Sequence, residues 1–190
     1  MQTLEGEHIY LRALEPKDIT DIHRIENDEL LWQLSETQTP FSLFTIKEYV
    51  ENAHRDIHEV KQLRLAICNR DTDKLIGLVD LFDFDALNQR AGVGILIEDE
   101  ANRGNGYGAE ALHLIVGYSK KHLQLHQLYA NIGAQNTPSI KLFEKSRFTH
   151  VGTKKDWSRF RESFTDELLY QHLLECILKK LLQLLLELEP

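Results

Sequence analysis

The residues of this chain best suited to hold a ligand are Arg103-x-x-Gly106-x-Gly108, with a further Gly104 inside the run. Glycines let backbone amides approach a ligand closely. Where such a loop opens a helix, the free N–H groups and the positive end of the helix dipole make an anion site. The expected ligand is a phosphate. The string is not a Walker loop, because no Lys-Ser/Thr follows Gly108. Nor is it a Gly-x-Gly-x-x-Gly dinucleotide fingerprint, because the spacing is reversed and no early βαβ unit surrounds it. A glycine-rich helix entry that only reverses the chain gives the same letters, so context discriminates. Here an apolar strand precedes the loop, and the helical pattern Ala109, Ala111, Leu112, Ile115, Val116 and Tyr118 follows it.

Apolar periodicity lays out the elements that must position this loop. Residues 8–14 read as a strand, and Pro16-Lys17-Asp18 opens a helix in which Ile19, Ile22, His23, Ile25 and Glu26 recur at helical spacing. Pro16 suits a first helical turn, where its missing N–H would have no partner. Residues 32–44, which include Thr39-Pro40, read as loops or turns, and Thr45 is the expected cap of a second helix through about residue 56. Residues 63–68 and 75–82 flank the turn-rich Asn69-Arg70-Asp71-Thr72-Asp73 and predict a hairpin. Arg90–Ile97 is a fourth strand. After the loop and its helix comes a fifth, Gln127–Gly133, and then Asn136-Thr137-Pro138-Ser139 leads into a helix from Ser139 to about Ser146. A sixth strand begins at Phe148, and residues 162–174 read as the last. The order has an antiparallel front half and a βαβα back half, which is mixed α/β.

The chain has 190 residues, of which 42% are hydrophobic and 27% charged, the profile of a single globular domain. Its net charge of -8 has the wrong sign for a general nucleic-acid binder and suits cationic partners better. Trp157 and Phe160 with Arg159 and Arg161 read as packing plus solvated charge. Two cysteines, Cys68 and Cys176, without a CxxC pair or a signal-peptide pattern, predict a reduced, cytoplasmic protein with no structural metal. The nine histidines show no metal spacing. The stretch 173–188 is too short and too charged to span a membrane. Its Leu174, Leu178, Leu181, Leu185 and Leu188 form a heptad-like stripe, and Leu182, Leu184 and Leu186 add apolar side chains beyond it. One buried face does not hide them all, so a second chain is the expected cover and a homodimer the expected state.

With its context, the glycine loop resembles the acetyl-CoA signature of the GCN5-related N-acetyltransferases, Gln/Arg-x-x-Gly-x-Gly/Ala between the fourth strand and the third helix. The resemblance extends to the opening segment Arg12-Ala13-Leu14-Glu15-Pro16-Lys17-Asp18 and to the hairpin strand Leu75-Ile76-Gly77-Leu78-Val79. It includes the block from Asn136-Thr137-Pro138-Ser139 through Lys145, and covers about residues 8–174. The chain is most similar to the branch that holds spermidine/spermine acetyltransferases and the enzymes that acetylate ribosomal-protein N-termini. The resemblance implies an acetyltransferase domain over residues 1–174, built as a mainly antiparallel mixed sheet with flanking helices. Residues 175–190 then form a leucine-rich oligomerisation helix.

The resemblance also implies roles. The amides of Arg103, Gly104, Asn105, Gly106, Tyr107 and Gly108 would hold the pyrophosphate of acetyl-CoA. Ile95, Leu96 and Ile97 would bind its pantetheine arm through their main chain, as a peptide strand adds to a sheet edge. Asn136 and Ser139 would hold the far side of the arm, although Asn-x-x-Ser at a helix start is also an ordinary cap. Phe143 would lie beside the cofactor where many relatives carry a Tyr, the proposed general acid, and Phe has no proton to give. Arg147 stands where they usually have Gly, so the helix end is expected to cap differently. The candidate bases are Asp80 and Glu98, each of which also reads as a solvated surface carboxylate, and relatives' Glu early in the fourth strand is replaced by Gly92. Glu26, Asp28 and Glu29 would bind substrate, or simply form a charged helix end.

The expected activity is acetyl transfer from acetyl-CoA to a primary amine, on a polyamine-like molecule or a peptide N-terminus, by direct attack in a ternary complex. The alternatives are a non-catalytic acyl-CoA-binding module, which Phe143 would permit, and a nucleotide-phosphate-binding regulator.

Overall fold

The hairpin forms as the turn-rich segment predicts: β2 (Leu63–Asn69) pairs antiparallel with β3 (Leu75–Asp85), with Leu65 opposite Val79 and Arg64 opposite Asp80. In this computed structural model residues 3–35, 37–160 and 162–174 are described. The leucine-rich segment 175–190, and with it the dimer expectation, lies outside them. The other strands are β1 (Ile9–Ala13), β4 (Arg90–Ile97), β5 (Gln127–Gly133), β6 (Thr149–Phe160) and β7 (Ser163–Leu173). They form one seven-stranded sheet in the order β1-β2-β3-β4-β5-β7-β6. Every neighbouring pair is antiparallel except β4–β5, the one parallel step.

Both faces of the sheet are covered, which is why the central strands read as near-continuous apolar runs rather than as alternation. One face meets α5 (Tyr107–Lys121) and α6 (Thr137–Lys145). Leu65, Ile67, Val79, Leu81, Val93 and Leu128 pack there with Leu112, Ile115 and Phe143. The opposite face meets α1 (Ile19–Glu26), α2 (Glu29–Ser35) and α3 (Leu43–Glu51), where Ala66, Cys68 and Leu78 pack with Ile22, Ile25, Leu31, Ile46 and Val50. A 3-10 turn, Pro16–Asp18, leads into α1, and the short α4 (Ile57–Val60) precedes β2. The turn is held by the buried Asp18, which accepts from both Arg12 terminal nitrogens at 2.6 and 2.8 Å and from the Glu15 N–H at 2.8 Å.

Three local expectations are corrected. The segment read as loops or turns contains the end of α2, a helix too short to show helical periodicity. The cap of α3 is Ser42, whose hydroxyl accepts the Thr45 N–H at 3.1 Å, and the helix ends at Glu51. Finally, α6 does end as a glycine-capped helix would, with Arg147 in the left-handed conformation at φ 68. The Phe148 N–H reaches the Phe143 carbonyl and the Arg147 N–H that of Glu144, both at 3.0 Å. Phe148 also packs edge-on against Phe143, with ring centroids 4.9 Å apart. This is a Schellman ending with its apolar contact, and those bonds and rings offset the strain of a side chain at that φ.

Candidate active site

The parallel pair β4–β5 has three rungs, Arg90 with Gln127, Ala91 with Leu128 and Gly92 with Tyr129, after which the strands part. Beyond Gly92, β4 stays bonded to β3, with Asp80 opposite Gly94 and Leu78 opposite Leu96. Its other edge therefore turns main-chain N–H and C=O groups toward the gap. That gap is a cleft of about 750 Å³, walled by Val93, Gly94, Ile95 and Leu96 on one side and by Ala130, Asn131, Ile132 and Gly133 on the other. At its root the Phe82 ring covers Gly92, where a Cβ would lie 2.2 Å from a ring carbon. The volume that a Glu at that position would need is filled by Phe82.

The glycine loop stands where β4 ends. Gly104 and Gly106 take φ +81 and +89, a region that side chains avoid, and Gly106 caps α5. The Glu110 N–H is bonded to the Gly106 carbonyl. By helix geometry the N–H groups of Tyr107, Gly108 and Ala109 then have no acceptor within the helix. The side chains of the loop serve its shape. Arg103 donates Nε and Nη2 to the carbonyls of Ile97 and Glu98 at 3.0 and 2.9 Å, and Asn105 donates Nδ2 to the Ala101 carbonyl at 3.0 Å. What remains to meet an anion is the backbone at the positive end of a 15-residue helix. Gly108 serves packing, since a Cβ there would sit 3.3 Å from Leu142 on α6.

The cleft's charged wall is built on β2, β3 and the end of α1. Asp80 Oδ1 accepts from Arg64 Nε at 2.6 Å and from Gln62 Nε2 at 3.2 Å. Arg64 Nη1 donates to Glu26 Oε1 at 2.5 Å, so one guanidinium bridges two carboxylates. The three side chains are only 15–20% exposed, and Arg64 lies over the Tyr49 ring, 5.4 Å from its centroid. Burial works against the Arg64 charge, but Asp80, Tyr49 and Glu26 outweigh it and raise its pKa above the ordinary arginine value. Burial pushes the Tyr49 hydroxyl pKa up, against the opposing pull of Arg64.

Of the residues singled out in the sequence, the cleft brings together Glu26, Asp80, Ile95, Leu96, Asn136, Ser139 and Phe143. Asn136 is also the cap of α6, its Oδ1 accepting the Ser139 N–H at 3.2 Å, so both readings of that pair describe one geometry. Phe143 is 3% exposed and belongs to the core as well as to the cleft wall. Ile97 and the loop from Arg103 to Gly108 lie at the end of β4, outside the cleft lining. Glu98 is not brought in: its carboxylate pairs with Arg24 of α1. Asp28 and Glu29 stay outside too. Asp28 accepts the Leu30 N–H at 3.0 Å at the start of α2, and Glu29 is exposed in its first turn. Sequence reasoning missed Arg64 and Gln62. The available signal was the hairpin itself, whose register sets residue 64 opposite residue 80.

The Acetyltransferase (GNAT) domain family matches residues 8–149. The spermidine N(1)-acetyltransferase of Vibrio cholerae is 29% identical over 143 residues, 75% of this chain and 79% of that protein. The probable N-acetyltransferase YjcK of Bacillus subtilis is 31% identical over 160 residues, 78% of this chain and 84% of that protein. Among solved structures, the Vibrio cholerae spermidine N-acetyltransferase in complex with CoA and spermine aligns with a TM-score of 0.78 at 23% identity. That alignment covers 88% of this chain and 96% of the other. Parted strands, a glycine-capped helix at their mouth and a family match over most of the sequence agree: the chain belongs to the GNAT acetyltransferase family and is an N-acetyltransferase.

Proposed function

We propose that acetyl-CoA lies along the open edge of β4 and that a primary amine meets it beside Asp80. The observation that carries this reading is the parting of β4 from β5 after Gly92, which leaves a strand edge able to bond an amide-bearing chain. The main chain of Ile95, Leu96 and Ile97 would hold the pantetheine arm. The amides from Arg103 to Gly108 would hold the pyrophosphate, with Asn136 and Ser139 on the far wall. When bound, acetyl-CoA supplies the thioester whose acyl group is transferred.

An amine reaches the site mostly protonated at neutral pH, so a base must take a proton before attack. Asp80 suits this role better than Glu98. Both hydrogen bonds to Asp80 fall on Oδ1, which leaves Oδ2 uncommitted among the described residues. Its cross-strand neighbour Gly94 puts no side chain between that carboxylate and the β4 edge. Glu26, held by the same arginine, would bind the incoming ammonium. Phe143 offers no proton to a leaving thiolate, so positioning and main-chain polarisation carry the step.

The test is release of CoA from acetyl-CoA across a panel of primary amines and peptides with free N-termini. Release that depends on the amine supports the reading. Acetyl-CoA binding without release for any amine would replace it with the non-catalytic acyl-CoA-binding module.

A further inference from the structure

The acceptor wall carries two carboxylates and one guanidinium, and that arithmetic bears on what the cleft accepts. Asp80 and Glu26 come from different elements, and each gives one oxygen to Arg64. Their other oxygens, Asp80 Oδ2 and Glu26 Oε2, have no partner among the described residues. Charge is therefore left for one ammonium, with two oxygens to receive it. Among the described residues, the other charged groups on the cleft wall add no second acidic subsite. Glu167 is taken by Lys154 at 2.7 Å, and Arg159 adds a positive charge that makes no ion pair among the described residues. An acceptor with a second ammonium would meet either the bridging guanidinium or Arg159.

We infer that Arg64 is a specificity-determining residue that cancels one of the two carboxylates, so that the acceptor is an amine presenting a single ammonium to the cleft rather than a polyamine. The inference rests on the proposed acceptor site at Asp80. Arg64 also positions: its fork fixes Asp80 and Glu26 relative to each other, Tyr49 lies against the fork, and Gln62 donates to the same Asp80 oxygen. A lysine has one charge but no fork.

The test compares butylamine with 1,4-diaminobutane, which have equal chain length and differ by one ammonium. Binding is read by amide NMR shifts in the CoA-saturated protein, and kcat/KM by CoA release. Wild type should bind the diamine no more than about threefold tighter than the monoamine. Arg64→Gln should raise the diamine preference by about tenfold, because the second carboxylate is uncovered. Arg64→Lys should keep the wild-type preference and lower kcat more than it changes KM, because the charge stays and the fork is lost.

A wild type that binds the diamine tenfold tighter overturns the inference, as does an Arg64→Gln protein with unchanged preference. Absence of any shift around Asp80 with either amine overturns it as well. Should Arg64→Gln fail to fold, the wild-type comparison and Arg64→Lys still decide. Binding is read without turnover, so a protein that selects the monoamine but releases no CoA would sink the acetyltransferase reading and leave the charge selection standing.

Discussion

Gly92 and Tyr129 form the last rung of the parallel β4–β5 pair, and the Phe82 ring stands over that rung. It lies edge-on to Tyr129, with centroids 6.0 Å apart. A strand with a side chain at position 92 would collide with this ring. The closed root of the cleft and the absence of a side chain at position 92 therefore go together, at the rung where the parallel pair ends.

Gly106→Val should lose stabilisation by acetyl-CoA. A non-glycine residue at φ +89 costs about 1–2 kcal/mol, more for a β-branched one. In the free protein a Cβ at this position meets nothing within 4 Å, so the damage is to backbone shape and to the approach of a pyrophosphate. For wild type, ligand at a hundred times its Kd should add about 2.7 kcal/mol. Thermal unfolding with and without acetyl-CoA checks this, and equal shifts in the two proteins would remove the loop from the cofactor site.

Asp80→Asn and Glu98→Gln should part company. Removing a positioned base lowers turnover by roughly 10²–10⁴-fold, and Asp80 lies on the cleft wall. Glu98 is paired with Arg24 away from it, so Glu98→Gln should keep turnover within about threefold, as fits a partly exposed ion pair. Saturation kinetics on both variants gives the answer, and a reversed order would move the base to Glu98.

Phe143→Tyr should preserve or raise turnover. It restores a hydroxyl where related enzymes place their acid, on a ring that already lines the cleft. A large fall in kcat in a variant with wild-type unfolding behaviour would show that the wall is shaped around phenylalanine.

Arg147→Gly should stabilise the protein by about 0.5–1 kcal/mol. Glycine removes the strain of a side chain at φ 68, which is partly offset by the greater freedom of the unfolded chain. The bonds of Phe148 and Arg147 to the end of α6 are made by the backbone and survive the change. Urea unfolding measures it, and destabilisation would assign Arg147 an interaction of its own.

Much of the protein was legible in its letters because the signals are local. The glycine loop, the apolar strand before it, the helix after it and the hairpin at residues 63–82 each rest on residues within one turn or one strand of each other. The family resemblance followed from those blocks. Helix α2 is not legible because seven residues do not establish a period, and Ser42 and Thr45, three positions apart, are both good cap residues between which the sequence alone does not choose. The acidic residues show the sharper limit. In sequence, neither Asp80 and Glu98 as candidate bases nor Glu26, Asp28 and Glu29 as candidate substrate ligands can be told apart from surface carboxylates, since a carboxylate's role depends on the cation that it faces. The tertiary structure sent Glu98 to Arg24 and tied Glu26 and Asp80 to Arg64, partners 38 and 16 positions away. It also ended the β4–β5 ladder at Gly92, where a ring from a neighbouring strand fills the space. Such choices are made by packing between distant segments, and local periodicity carries no record of them.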